Sequence, residues 1–146
     1  MREIKFRAWD KKSKYMFALD DKDFFINNNG IYERSSVDYF GDEYKNVTDN
    51  LILMQYTGLK DMKGREIYDG DIIKLCYGIP PTYDTLVIEY ADDENVNDCS
   101  VSGWWMRNVR ENGCSSSLCK TYGPACEVIG NIHEDGDLRK ERNSNA

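Results

Sequence analysis

The sequence predicts a mainly β protein, a barrel or sandwich rather than a parallel sheet. Three observations carry this. Short apolar runs of strand length recur along the chain, separated by Gly-, Asn- and Asp-rich turns. Ten tyrosines are present, and a ring with a polar tip suits a half-buried pleated surface. Helical periodicity is weak everywhere except near residues 36–45, where an interior helical turn is the one candidate.

Each element is justified by its residues. Ile4, Phe6 and Ala8 alternate with Lys5, Arg7 and Trp9, which is strand period. The polar stretch 10–14 reads as a turn, and Tyr15-Met16-Phe17 as the returning strand. Phe24-Phe25-Ile26 and Ile31-Tyr32 flank Asn27-Asn28-Asn29-Gly30, a second hairpin signal because Asn-Gly readily takes positive φ. Residues 34–50 read as a polar loop with scattered aromatics.

Leu51 to Tyr56 is a buried-strand candidate, and Gly58 and Gly64 punctuate the stretch up to Ile67. Tyr68-Asp69-Gly70-Asp71 reads as a tight turn feeding the strand Ile72-Ile73-Lys74-Leu75. Gly78-Ile79-Pro80-Pro81 breaks the chain. Leu86, Ile88 and Tyr90 mark another strand, residues 92–98 an acidic loop, and residues 101–109 a strand bearing Trp104-Trp105. Gly113 to Ser117 reads as a loop, and Glu127 to Ile132 as the last strand. Residues 134–146 are nearly all polar and cannot bury enough apolar surface to offset their ordering entropy, so they read as a mobile tail, with a short helical segment at 136–142 the one element it could hold.

Bulk properties bound the function. The chain has 146 residues, the size of one domain with an appendage, and 40% apolar residues are enough for a core. A net charge of −7, with no segregated basic block, disfavours duplex nucleic acid and anionic lipid. No run of eighteen apolar residues exists to span a membrane. The charged opening MREIKFRAWD lacks a signal-peptide core, so the expected location is the cytoplasm, with the five cysteines reduced.

The segment from Leu53 to Lys74 resembles the YopX family of phage and prophage proteins. The likeness is carried by Met54-Gln55-Tyr56-Thr57-Gly58-Leu59-Lys60-Asp61, by Gly64, and by Ile67-Tyr68-Asp69-Gly70-Asp71-Ile72. It resumes at residues 127–134, EVIGNIHE, and the opening residues 4–10 followed by Met16 look like that family's start. Three separated blocks in the right order cover essentially residues 1–134. One departure is that Asp135-Gly136-Asp137 stands where the family often continues with proline and an apolar or acidic residue. The resemblance implies an SH3-like barrel in the C-terminal part, a bacterial host cytoplasm, and no established activity. The expected organisation is an N-terminal hairpin region (1–50) packed on the SH3-like barrel (51–133), then the tail (134–146).

Gly58, Gly64, Gly70 and Asp71 are expected as structural turn residues, with Asp69 or Asp71 bonding back to nearby amides. The alternative is that Tyr68 and Asp69, with Asp71, belong to a ligand surface. Adjacent strand residues point to opposite faces, so one of Trp104 and Trp105 should be buried and the other exposed. The candidate interaction surface is therefore Trp104 or Trp105 with Tyr68 and Asp69; the competing expectation is that the outward indole is covered by the N-terminal hairpins.

No catalytic constellation is visible. His133 is the single histidine and nothing nearby marks a nucleophile or an orienting group. Glu89 is the one acid in an apolar strand and is expected to face water. Cys114 and Cys119, with Cys126 and Cys99 or His133 as further candidates, sit at the loose edge of structural-zinc spacing and lack a second pair, so no metal or cofactor is expected. The acidic run Asp92-Asp93-Glu94 reads as a solvated loop, with imitation of nucleic acid as its sharper alternative.

The functional expectation is a non-enzymatic phage accessory protein acting through protein contacts. Open hairpin edges also invite self-association. A barrel binding single-stranded nucleic acid is the first alternative and a small metal-dependent enzyme the second.

Overall fold

A computed structural model describes residues 3–19, 23–96, 99–109, 116–118 and 125–134. Those residues are mostly strand, and no α-helix occurs among them. The strands are β1 (Phe6–Asp10), β2 (Tyr15–Ala18), β3 (Phe24–Asn27), β4 (Gly30–Asp38), β5 (Gly41–Asn46), β6 (Leu51–Lys60), β7 (Glu66–Tyr68), β8 (Asp71–Tyr77), β9 (Thr82–Val96), β10 (Cys99–Asn108), β11 (Ser116–Ser117) and β12 (Cys126–Asn131). The mainly β expectation holds. The chain divides into two compact units inside β6, between Gln55 and Tyr56.

In the first unit β1 lies antiparallel between β2 and the first half of β6, with Ala8 opposite both Phe17 and Leu53. The turn after β1 is held by Asp10, whose Oδ1 accepts the Lys12 N–H at 2.9 Å and the Ser13 N–H at 3.1 Å. Strands β3, β4 and β5 form a separate antiparallel sheet. Asn27 Oδ1 accepts the Asn29 N–H at 2.8 Å and closes the β3–β4 turn. Ala8, Ile31 and Leu51 are the buried centre, with Phe17, Leu19, Phe24, Val47 and Leu53 packed around them.

The helical turn expected near residues 36–45 is absent. That stretch is the end of β4 and most of β5, a hairpin turning at Tyr39-Phe40. The cross-strand ladder, Arg34 opposite Tyr44 and Tyr32 opposite Asn46, outranks a weak local preference in a polar segment.

In the second unit the second half of β6 pairs with β7, Tyr56 opposite Tyr68 and Lys60 opposite Glu66. A five-stranded antiparallel sheet runs in the order β11-β10-β9-β8-β12. Its centre is buried on both faces. Ile73, Leu75, Leu86, Ile88 and Met106 join Ile67, Leu118 and Cys126 in one cluster, while Ile72, Val87 and Val109 form another. This explains why residues 72–75 and 86–88 are nearly continuous apolar runs instead of alternating ones. Each such side chain contributes on the order of 2 kcal/mol by leaving water.

The acidic residues 92–96, expected as loop, continue β9, with Glu94 opposite Val101 and Val96 opposite Cys99. Ladder pairing with β10 holds an extended backbone that composition alone disfavours. Residues 113–115 and 135–146, including the segment 136–142, lie outside the described residues, as do Cys114 and Cys119.

Candidate interaction surface

The expected turn residues organise the second unit. Asp71 is fully buried, and its Oδ2 accepts the Tyr68 N–H at 2.8 Å. Between them Gly70 sits at φ +82°, where a side chain would be strained. Its N–H donates to the Ile88 carbonyl at 2.7 Å, and its own carbonyl accepts the Ile132 N–H at 2.9 Å. The turn is thus bonded to β9 and to the end of β12. Tyr68 lies in the interior: its ring meets Tyr56 with centroids 5.5 Å apart, and its hydroxyl donates to Glu66 Oε2 at 2.8 Å. Asp69 is half-buried.

Gly58 sits where the β6–β7 register shifts, between Tyr56 and Lys60. Gly64 belongs to the turn 61–65 and donates its N–H to the Asp61 carbonyl at 3.0 Å. Asp61 is the centre of that turn. Its Oδ1 accepts the Lys63 and Arg65 N–H groups, both at 2.9 Å, and its Oδ2 accepts the Val128 N–H at 2.9 Å. Val128 stands at the irregularity in the β12–β8 ladder, where the register shifts before Gly130. Burial pulls the Asp61 carboxyl upward, but the three backbone donors and the Arg65 charge outweigh it and hold the pKa below 3.8. Sequence reasoning passed over the role of Asp61, although the residue closes the block 54–61.

Trp104 and Trp105 lie on β10, two strands from β8 in the sheet. Trp104 packs against the main core cluster and meets Tyr90 edge-on, centroids 5.2 Å apart. Its Nε1 is buried with no hydrogen-bond partner among the described residues. Trp105, on the opposite face of β10, is half-buried, so neither indole is fully exposed. Trp105 stands opposite Glu89, and Glu89 Oε1 accepts from Arg107 Nε at 2.8 Å. Glu89 is therefore paired with a cation and stays partly exposed.

Tyr90 is exposed beside Trp104, and further exposed apolar side chains lie elsewhere. Phe25 and Tyr32, opposite one another on β3 and β4, stack at 4.9 Å and 9°. Tyr44 meets Phe25 edge-on at 4.8 Å. This three-stranded sheet also carries the Asp23–Arg34 ion pair. At the tip of the β4–β5 hairpin Tyr39 and Phe40 are 97% and 94% exposed and pack on each other. In the second unit the β8–β9 turn exposes Tyr77, Ile79 and Tyr83, with Lys74 Nζ 4.5 Å above the Tyr83 ring. A sequence signal exists for part of this: Tyr39-Phe40 and Tyr44 stand in a largely polar stretch, and Gly41 directly after Tyr39-Phe40 marks a turn.

Cys126 is fully buried, and burial, with the Asp61 charge, pushes its thiol up to about 11. His133 is half-buried in the turn after β12, and its N–H donates to Asn131 Oδ1 at 3.0 Å. Among the described residues no three His, Cys, Asp or Glu side chains gather as metal ligands. No helix among them is long and apolar enough to cross a membrane.

Comparison with solved structures finds the same fold in protein EF1440 from Enterococcus faecalis. The TM-score is 0.61 at 24% identity, covering 95% of this chain and 99% of that one. Protein yopX from Bacillus subtilis aligns with a TM-score of 0.50 at 20% identity, covering 94% and 98%. A search of curated proteins finds no match. The family model described as YopX protein matches residues 5–139, nearly the whole chain, and the chain therefore belongs to the YopX family.

Proposed function

We infer that this protein is a phage- or prophage-encoded interaction module, working in the bacterial cytoplasm through protein contacts and able to self-associate. One observation carries the reading. Two adjacent aromatic rings, Tyr39 and Phe40, stand almost wholly in solvent at a hairpin tip, on a sheet that also bears the Phe25–Tyr32–Tyr44 cluster. Aromatic rings bury about 150–250 Å² each when covered and lose little side-chain entropy, which makes them anchors of protein interfaces. Two adjacent rings left almost wholly in water are apolar surface that a partner would cover. In the second unit Trp105, with Asp69 at the β7–β8 turn, is a further candidate contact.

The test is affinity capture from bacterial host lysate, with sedimentation of the purified protein alongside. The Tyr39→Ser/Phe40→Ser variant should lose partners or self-association while its circular dichroism is unchanged. Identical partners and identical mass from both proteins would remove the hairpin tip. A parallel Trp105→Ala variant assigns the second unit's share.

Stacked exposed rings also suit single-stranded nucleic acid. The net charge of −7 opposes it. Gel-shift at low salt decides: binding that falls steeply with added salt favours nucleic acid.

A further inference from the structure

We propose that the first unit pairs with a second copy of this chain through the open edge of β3, joining two three-stranded sheets into one continuous sheet. The proposal rests on the interaction-module reading above and names both the partner and the strand. Sheet order places β3 outermost, beside β4. Phe25, Ile26 and Asn27 on it are exposed.

The hydrogen bonding shows which backbone groups are open. The Arg34 N–H donates to the Asp23 carbonyl at 2.7 Å. Antiparallel bonding alternates, so Asp23, Phe25 and Asn27 face β4, while Phe24 and Ile26 turn both N–H and C=O away from it. The β4 side agrees. Ile31, opposite Ile26, bonds the other way, its carbonyl accepting the Val47 N–H at 2.9 Å. Among the described residues no backbone group meets the outward side of Phe24 or Ile26.

This pattern complements its own copy. Two β3 strands laid antiparallel, with the two Phe25 residues opposite each other, place each Phe24 opposite an Ile26. Each Phe24–Ile26 pair exchanges both bonds, so every outward group is satisfied. The Phe25 pair then falls at a non-hydrogen-bonded position, where side chains approach most closely. Ile26 covers the partner's Phe24 on the other face. Asp23 comes opposite Asn27, so no like charges meet. The aromatic row Tyr44, Tyr32, Phe25 continues from one copy into the next. A slip of one residue would turn the bonding groups away from each other.

Other edges are blunted in the ways that keep sheets from pairing. Strand β5 carries Asp42, Glu43 and Lys45, and its ladder is irregular between Arg34 and Ser36. Strand β12 is covered by Asp61 and Met62, and β7 and β11 are only 3 and 2 residues long. On β2 the central ring, Phe17, already packs into the core on Phe24. Strand β3 has no charge, proline or register shift.

The experiment is sedimentation of the full chain across concentration. The wild type should pass from monomer to dimer between about 10 μM and 1 mM, the range of a small interface. Ile26→Pro removes an outward N–H and no bond to β4, so circular dichroism and the thermal midpoint should hold while dimerisation weakens by about tenfold or more. Phe25→Lys and Phe25→Glu should each sediment as monomer, and an equal mixture of the two should restore the dimer, because the register sets the two positions face to face. The Tyr39→Ser/Phe40→Ser variant, altered at the far end of β4, should still dimerise, so the hairpin tip and the β3 edge can fail separately. A wild type that stays monomeric to about 1 mM, an Ile26→Pro variant that dimerises like the wild type, or a mixture that stays monomeric overturns the proposal.

Discussion

The carboxylate of Asp61 accepts a hydrogen bond from the backbone N–H of Val128, sixty-seven residues further along the chain. The bond falls where the β12 ladder is irregular. With Met62 donating its N–H to the Cys126 carbonyl and Arg65 Nη1 donating to the Val128 carbonyl, it fastens the turn after β6 to β12.

Asp61→Asn keeps the shape and turns an acceptor toward the Val128 donor into an amide that must choose between its partners. Urea unfolding should show a loss of about 2–3 kcal/mol, the cost of leaving buried hydrogen-bonding groups unsatisfied. Lys63→Gln removes only the ion pair to Glu127 at the surface and should leave the midpoint nearly unchanged. Equal midpoints for wild type and Asp61→Asn would refute the clasp.

The acid limb of the stability curve depends on the same group. The folded-state pKa of Asp61 is depressed, so its contribution is fully present above its ordinary 3.8 and is lost as pH falls through the lower folded value. The stability gap between wild type and Asp61→Asn should be widest near neutrality and shrink below pH about 4. A gap that is constant from pH 7 to pH 3 contradicts this.

The Cys126 thiol, buried and with its pKa at about 11, should resist alkylation in the folded protein at pH 8 and react fully in urea. Peptide mass mapping after iodoacetamide gives the readout. Rapid native labelling at Cys126 would show that β12 opens.

Gly30, at φ +141°, has Thr48 Oγ1 where a Cβ would stand. That hydroxyl accepts the Ile31 N–H at 2.9 Å, so it cannot move away without breaking the bond. Gly30→Ala should cost more than the roughly 1–3 kcal/mol of backbone strain alone. Gly41→Ala, at φ +117° with open space around it, isolates the strain by itself. Equal losses in thermal unfolding would mean that Thr48 yields freely.

Much of the scaffold was readable in one dimension. Alternation placed β1, Asn-Gly placed the β3–β4 turn, and Tyr-Asp-Gly-Asp placed the start of β8, because these signals act over a few residues. The 36–45 hairpin and the continuation of β9 through residues 92–96 were not, since polar strands depend on a partner to be strands at all.

From the residue order alone came the strand class, the tight turns and the family. Folding in three dimensions settled which aromatic rings meet water, that Asp61 reaches β12, and that Phe25 and Ile26 stand on an open edge. The reason is physical: a period of two residues assigns neighbours to opposite sides of a strand, yet only distant segments arriving on one side determine which is covered.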